Sequence, residues 1–278
     1  MARKTIIDHW MSGAAVLPVV LASPALAASP TPLYNWTGSY VGANMGGAWG
    51  QFGSSTVSDC SGPAPGALFT YFCSPFFPGD AAAVNAAGSG SFNAAGFTGG
   101  IQAGYNWQVS DVVLGLESDF GAFRLQGSRR GSGTLDQSWG VPFTVITWAN
   151  TDWLFTFRGR IGATIRPDLL VYVTGGLAVT RLYTGTSYAD NNGISFPPGV
   201  TGSWGGSAIK TGYAIGAGTE YALSNVWSVK VEYLYLNFGG SLLNSGIIAD
   251  SSGAYGQALS TRVDLTAQLA RIGINRKF

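Results

Sequence analysis

Apolar and polar residues alternate along much of this chain, most regularly in residues 97–109 (FTGGIQAGYNWQV). The odd positions of this segment are apolar apart from Gly99, and the even positions are polar or glycine. Because side chains of a β-strand point to opposite faces with a period of two residues, the pattern predicts a strand with one apolar face. Similar alternation predicts eight strands, at about 37–50, 95–109, 112–125, 151–165, 169–184, 207–223, 226–238 and 259–278.

The segments that connect these strands alternate in length. Three of them predict tight turns: Ser110-Asp111, Arg166-Pro167-Asp168 and Ser224-Asn225. Four predict long loops rich in Gly, Ser, Asn and Pro: residues 51–94, 126–150, 185–206 and 239–258. Tight turns at one end, long loops at the other end and an even strand number are typical of an outer-membrane barrel.

The composition indicates that the apolar faces contact lipid. Charged residues make up only 10% of the chain, against about 25% in an ordinary soluble domain. We therefore predict an all-β fold, an eight-stranded antiparallel transmembrane up-and-down β-barrel with four long extracellular loops and short periplasmic turns. No stretch of the sequence approaches about 18 consecutive apolar residues, so we expect no transmembrane helix.

The first 27 residues have the parts of an export signal. Arg3 and Lys4 precede an apolar run at residues 13–22, and Ala25-Leu26-Ala27 supplies a cleavage pattern. A membrane-anchoring helix is the alternative, but it needs about 20 apolar residues. We predict a signal peptide at 1–27 with cleavage near 27/28, a short N-terminal segment at 28–36 and the barrel at 37–278. The mature chain then carries 13 basic and 13 acidic residues, which argues against nucleic-acid binding.

Alternation places a network of charged side chains inside the barrel: Glu117, Asp119, Arg158, Arg160, Lys210, Glu220, Lys230, Glu232 and Arg271. Antiparallel partners keep a constant sum of residue numbers. In the third and fourth strands this predicts Glu117 opposite Arg160. The same register predicts Asp119 opposite Arg158. In the sixth and seventh strands it predicts Glu220 opposite Lys230.

These charges admit a structural interpretation and a functional one. An eight-stranded barrel is just wide enough for side chains to fill its interior, so paired charges would plug it and fix the strand register. A charged pore is the alternative. A catalytic pair of carboxylates, Glu117 and Asp119, is a further possibility, but the neighbouring arginines neutralise it. We favour the structural core, and because no nucleophile, acid and base are assembled we expect no enzyme activity.

Two cysteines, Cys60 and Cys73, lie in one segment rich in Gly, Pro, Ser and Phe. In an oxidising compartment they predict a disulfide. A metal site is the alternative, but the single histidine, His9, lies in the predicted signal and cannot complete a ligand set. The same absence excludes a Ser-His-Asp triad and a histidine-held haem, whereas a tyrosine-held haem stays open. We expect no cofactor and no metal.

Three shorter motifs have simple structural interpretations. Gly216-Ala217-Gly218 resembles a fragment of a nucleotide-binding loop, but no helix pattern follows it, so glycine in a narrow lumen is favoured. Asp190-Asn191-Asn192-Gly193 predicts a surface turn more strongly than a calcium loop. Arg129-Arg130 is either a solvated pair or a contact for lipopolysaccharide phosphates.

Aromatic residues are predicted to form girdles at the two membrane interfaces. Those near the tight turns are Tyr34, Trp36, Tyr105, Trp107, Tyr221, Trp227 and Phe278. Those near the long loops are Trp49, Phe97, Phe120, Trp153, Phe155, Tyr183, Tyr233 and Tyr235. A stacking surface for carbohydrate or nucleic acid is the alternative, which the alternation with glycine and polar residues disfavours.

Four motifs, taken in chain order, resemble one known family: WTGSYVGAN at 36–44, YVTGGLA at 172–178, EYLY at 232–235 and RIGINRKF at 271–278. They are similar to segments of alphaproteobacterial outer membrane immunogenic or porin-family proteins, which have an OmpA-type eight-stranded outer-membrane barrel. The resemblance covers the whole mature chain. Arg276 stands where that family usually has an aromatic or apolar residue, and the cysteine pair is not a general family feature.

The resemblance implies a location in the cell outer membrane, among its lipids and lipopolysaccharide. It also implies that Phe278 is the sorting signal for the barrel-assembly machinery. Two functional hypotheses follow. The first is a structural and surface-interaction protein that supports envelope integrity, with a lumen largely plugged by charged side chains. The alternative is a narrow porin or an uptake protein for a haem-type ligand. The sequence carries no signal for an oligomeric state.

Overall fold

The fold is a closed antiparallel barrel in a computed structural model that describes residues 34–76, 78–136, 140–190 and 199–278. Its strands are β1 (Gly38–Asp59), β2 (Gly90–Val109), β3 (Val112–Leu135), β4 (Val141–Arg166), β5 (Leu169–Asp190), β6 (Val200–Ala222), β7 (Trp227–Asp250) and β8 (Gly256–Lys277). A helix, α1 (Gly79–Gly88), lies between β1 and β2. Neighbouring strands follow the sequence order, and β8 pairs with β1. The predicted signal peptide, residues 1–27, lies outside the described residues.

The strands extend well beyond their predicted outer ends. β3 continues to Leu135 and β4 begins at Val141, so most of the predicted loop 126–150 is strand. The predicted loops 185–206 and 239–258 are also largely strand, whereas the connection between β1 and β2 is long, as expected. Alternation continues in these extensions, but on β3 and β6 serine, threonine and glycine replace the apolar residues of the outer face, whereas Ile146, Trp148 and Ile247 stay exposed on β4 and β7. On strands of this kind, a prediction that requires an apolar outer face therefore stops where the bilayer ends.

An apolar belt surrounds the half of the barrel that lies near the tight turns. On β1 the large exposed residues of the belt are Val41, Met45 and Trp49, and above Trp49 the outward residues are polar or glycine, apart from Val57. The belt is bordered by exposed aromatic rings at both edges, as the sequence predicted: Tyr105, Trp107, Tyr221 and Trp227 near the turns, and Trp49, Phe97, Phe120 and Tyr233 at the other edge. In the part of the chain that the structure describes, no helix is both long and apolar enough to cross a bilayer.

Tyr34 and Trp36 do not belong to the girdle, contrary to the prediction. Trp36 is only 1% exposed and packs with Tyr34 against Leu170 inside the turn end of the barrel. The segment before β1 is held there because the Trp36 backbone N–H donates to Gln108 Oε1 at 2.8 Å. Burial raises the pKa of the Tyr34 hydroxyl to about 12. These two residues cap the lumen, a role that alternation could not reveal because they precede the first strand.

The interior is layered rather than uniformly polar. Below the upper edge of the belt, β8 points Arg271 and Asn275 inward and Ile272 outward. Further out along the same strand, Leu265 is inward and Asp264 is outward. The direction of each side chain is unchanged, but the polarity inverts because the outer wall leaves lipid and enters water. An apolar core consequently fills the barrel above the charged residues, which corrects the expectation of a hydrophilic lumen.

Candidate functional site

The candidate site is a buried layer of charged side chains at membrane depth. Eight of the nine predicted residues form it: Glu117 and Asp119 from β3, Arg158 and Arg160 from β4, Glu220 from β6, Lys230 and Glu232 from β7, and Arg271 from β8. Their outward neighbours Leu116 and Phe157 are exposed on the apolar belt. Strict alternation in these strands is therefore what brings the charges into the lumen.

Arg158 lies at the centre of the layer and is fully buried. Its Nη2 atom lies 2.7 Å from Glu117 Oε1 and 2.9 Å from Asp119 Oδ2. Its Nη1 atom lies 3.1 Å from Glu232 Oε1. One guanidinium thus joins β4 to β3 and, across the lumen, to β7. Since an uncompensated buried charge is very unfavourable, the three carboxylates depend on this residue.

Lys230 and Arg271 complete this part of the layer. The Lys230 ammonium donates to both oxygens of Glu117, each at 2.8 Å. Arg271 Nη1 lies 3.1 Å from Asp119 Oδ1, and its Nη2 lies 2.5 Å from Glu232 Oε2. Glu117, Asp119 and Glu232 therefore each contact at least two bases, which ties β3, β7 and β8 together across the lumen.

Glu220 is the centre of a second cluster, nearer the turn end. Arg160 Nη1 lies 3.0 Å from Glu220 Oε2. The other oxygen, Oε1, accepts hydrogen bonds from Ser228 Oγ at 2.5 Å and Asn275 Nδ2 at 2.8 Å. The closest approach between Arg160 and Glu117 is 3.9 Å, so these two residues are weakly connected. This cluster joins β4, β6, β7 and β8.

Uncharged residues that the sequence analysis missed complete the hydrogen bonding. Tyr40 Oη donates to Glu117 Oε2 at 2.8 Å, and Tyr172 Oη donates to Glu232 Oε1 at 3.0 Å. The Arg160 guanidinium lies over both rings, 4.9 Å and 5.2 Å from their centroids. These tyrosines were missed because only charged residues were sought. The same inward parity, applied to neutral polar side chains, would have found them.

The predicted register between β3 and β4 is wrong by two residues. Glu117 lies opposite Arg158, and Arg160 lies opposite Gly115. A β-carbon at Gly115 would come within 3.0 Å of the Arg160 side chain, so the glycine leaves room for its stem. The assumption that opposite charges face each other across the ladder therefore gives the wrong partner for Arg160. Asp119 correspondingly lies opposite Thr156.

The predicted register between β6 and β7 is confirmed, since Glu220 lies opposite Lys230. The side chains nevertheless choose other partners, because the Lys230 ammonium contacts Glu117 on the far side of the lumen. Lys210 is the predicted residue that does not join the layer. It is half-buried, lies opposite Thr180 in β5 and has no ion pair within the described ranges.

The layer is electrically balanced, with four acids and four bases in contact. Glu117 and Asp119, considered above as a catalytic pair, both accept hydrogen bonds from Arg158. Both carboxylates are therefore paired with a neighbouring guanidinium. Among the described residues, no group of three or more His, Cys, Asp or Glu side chains could hold a metal ion.

The connection between β1 and β2, residues 60–89, folds into the outer mouth of the barrel. Cys60 and Cys73 form a disulfide within it. Phe72 is fully buried beside Tyr188 at a ring-centroid distance of 5.2 Å, and Tyr71 Oη donates to Asp190 Oδ2 at 2.9 Å. Val84 of α1 is buried in the same cluster. The connection therefore seals the mouth above the apolar core.

The shorter motifs have structural roles at these places. Arg129 Nη1 donates to Ala87 O at 2.5 Å near the end of α1, whereas Arg130 is exposed. The Asp190 carboxylate accepts hydrogen bonds from Tyr71, Tyr188 and the Val200 backbone; the turn residues 191–193 lie outside the described ranges. Phe278 is 67% exposed at the end of the last strand, and its role in sorting stays a prediction.

Comparisons with known proteins agree with this architecture. Residues 18–266 match the family model of the outer membrane protein beta-barrel domain. The 31 kDa outer-membrane immunogenic protein of Brucella melitensis is 33% identical over 277 residues, which span 99% of this chain and 97% of that relative. The 22 kDa outer membrane protein of Rhizobium leguminosarum is 30% identical over 164 residues, 59% of this chain and 63% of the relative.

Among solved structures, the outer membrane protein OprG of Pseudomonas aeruginosa aligns with a TM-score of 0.41 and 10% identity, over 87% of this chain and 96% of that chain. The family match and the full-length Brucella relative, rather than this structural likeness, show the family. This chain belongs to the outer membrane β-barrel protein family, and the protein resides in the outer membrane.

Proposed function

We propose that this protein is a closed structural barrel, which supports envelope integrity and presents its outer end for surface contacts, rather than a conducting channel. The observation that carries the proposal is the charged layer, in which no residue is more than 5% exposed. An eight-stranded barrel has an interior that side chains alone can fill. A layer of paired side chains across that interior leaves no aqueous path.

Three further barriers lie in series with the charged layer. The cap around Trp36 closes the turn end, and the apolar core that includes Phe52 and Leu234 fills the lumen above the charges. The connection at residues 60–89 then covers the mouth. An ion that crossed the barrel would have to displace the charged layer and all three of these barriers. Opening a path would therefore require large-scale unfolding of the interior.

Conductance of the refolded full-length protein in planar lipid bilayers tests the proposal. Folding is checked beforehand by the difference in electrophoretic mobility between unheated and heated samples. We expect no stable channels at any holding potential. Stable conductance steps that disappear in Arg158→Glu, but persist in the exposed control Arg166→Glu, would establish a porin and overturn the structural assignment.

We also propose that lipids and lipopolysaccharide surround the barrel and that the barrel-assembly machinery acts on its last strand. The apolar belt supports the first part, and the position of Phe278 at the end of the β8 segment supports the second. Of the two adjacent arginines considered for lipopolysaccharide, Arg130 is exposed, whereas Arg129 is engaged with α1.

A further inference from the structure

The barrel wall is interrupted between β6 and β7. The two strands pair near their outer ends, where Val200 lies opposite Asp250, and again from Tyr213 opposite Asn237 down to the turn. Between these points no register pair joins the two strands within the described ranges. Residues 202–212 remain paired with β5, and 242–248 remain paired with β8. Both strands are therefore ordered, but each has a free edge toward the other.

Side chains bridge the upper part of this interruption. Asn244 Nδ2 donates to Thr184 Oγ1 at 2.5 Å, across the position of Gly206. Trp204 Nε1 donates to Thr261 Oγ1 at 3.3 Å, across the position of Gly246. The lower part has no comparable bridge among the described side chains. Gly239 is exposed, and a β-carbon there would meet no atom within 4 Å, so nothing covers the outer side of this unpaired opening.

Lys210 lies at this opening. Its side chain has inward parity and is half-buried, and its Nζ atom lies 3.9 Å from the position of a β-carbon at Gly240. The acids of the charged layer are balanced by other bases, and Lys210 has no ion pair within the described part of the chain. A partly buried cation without a counterion favours an anionic ligand.

The opening lies at the outer edge of the apolar belt. The last pair below it joins Tyr213 to Asn237, and the exposed residues beneath, such as Ile215 and Tyr233, belong to the belt. Ile209 and Leu243 flank the opening and are 59% and 50% exposed. A lipid whose acyl chains lie on the belt therefore has its headgroup at the level of Lys210.

We propose that the opening between β6 and β7 binds the phosphate headgroup of an outer-leaflet lipid, with Lys210 as the cation that holds the phosphate. The apolar flanks favour an amphiphile over a soluble anion. The site lies above the charged layer, so lipid binding here is independent of whether the lumen conducts.

Binding of lipopolysaccharide to the full-length protein in nanodiscs tests this site, with dephosphorylated lipopolysaccharide as the comparison. One lost charge-assisted hydrogen bond corresponds to about a tenfold weaker affinity. We expect Lys210→Gln to show that loss and Lys210→Arg to restore binding. Arg124→Gln removes an exposed cation from the outer wall of β3, on the other side of the barrel, and should leave the affinity unchanged. Equal weakening in the Lys210 and Arg124 variants, or equal binding of the dephosphorylated lipid, would overturn the proposal.

Two further arms separate a lipid site from a general anion site. Gly239→Leu places a side chain over the outer side of the opening without removing a charge, and we expect it to weaken lipopolysaccharide binding while the unfolding midpoint stays unchanged. Inorganic phosphate should not displace the bound lipid at millimolar concentration, because it lacks the acyl chains. Displacement by phosphate alone would contradict the lipid assignment.

Discussion

Arg158 lies directly opposite Glu117 in the β3–β4 ladder, and their side chains meet at 2.7 Å with neither more than 3% exposed. The same guanidinium also contacts Asp119 and Glu232. The layer is therefore a set of mutually dependent charges around one central residue. Removal of Arg158 leaves several buried carboxylates with too few cations. Breaking a buried ion pair in this way is strongly destabilising, because the remaining charge is uncompensated.

Replacement of Arg158 should accordingly cause a severe loss of stability. We expect Arg158→Met to lower the free energy of unfolding by about 3–5 kcal/mol. The exposed pair of Arg166 with Asp168 provides the control, and Arg166→Met should cost at most about 1 kcal/mol. Equilibrium urea unfolding of the refolded protein in lipid vesicles measures both. Equal losses in the two variants would show that the layer does not depend on Arg158.

A double-mutant cycle tests which arginine is the partner of Glu117. The coupling energy of Glu117 with Arg158 should exceed its coupling with Arg160 by more than about 1 kcal/mol, because the contact distances are 2.7 Å and 3.9 Å. Exchange of charges between Glu117 and Arg160 should therefore restore little stability. Full recovery in that exchanged variant would instead support the register expected from the sequence.

Alternation was sufficient to place the membrane-facing part of each strand and the direction of its side chains. Glu117 and Glu220 are inward and Ile272 is outward, as parity requires. The partner of each charge was not predictable in the same way, because long side chains reach beyond the residue opposite. Arg160 illustrates this: it faces Gly115 in the ladder and extends to Glu220. Its ion pair depends on the three-dimensional shape of the lumen. The sum of two residue numbers gives the ladder partner and carries no information about that shape.

The upper half of the barrel escaped prediction for a different reason. An apolar outer face identifies a membrane strand in the sequence, but that face is apolar only within the bilayer. Above the belt the outer face carries Asp264 and Gln51, and the inner face carries Leu265 and Phe52. The same alternation thus has the opposite polarity in water, so these segments resembled polar loops. Knowledge of where the bilayer ends along each strand would have been needed to recognise them.

The cap at the turn end can be tested through Trp36. Its indole is 1% exposed and packs against Leu170 and Val113. Because truncation of a buried aromatic residue leaves a cavity, Trp36→Ala should cost about 3–5 kcal/mol. Trp107→Ala is the matched control, since that indole is 46% exposed on the outer wall and its loss leaves no cavity. Denaturant unfolding in vesicles compares them, and an equal or larger loss for Trp107 would refute the cap.

The seal at the mouth should depend on the disulfide. Replacement of Cys60 and Cys73 by serine frees a short loop, and the chain-entropy model assigns about 3 kcal/mol to such a constraint. We expect local opening rather than unfolding of the barrel, since α1 and Phe72 remain anchored by apolar contacts. Limited proteolysis followed by mass spectrometry should show faster cleavage within residues 60–89 and unchanged protection of β3 to β8. Unchanged cleavage in that segment would show that the disulfide does not hold the seal.

A glycine on the inner face of β6 sets the position of a tyrosine in the charged layer. A β-carbon at Gly218 would lie 2.6 Å from the Tyr172 ring, the ring whose hydroxyl donates to Glu232. We expect Gly218→Ala to cost about 1–3 kcal/mol through overpacking. Gly175→Ala is the matched control, because a β-carbon there meets its nearest atom at 3.7 Å on the lipid side. The same unfolding assay compares the two, and combining Gly218→Ala with Tyr172→Ala should remove the part of the loss that the ring causes, leaving the 2.8 Å approach to Val231 O. A Gly218→Ala variant as stable as Gly175→Ala would mean that the ring can move aside without cost.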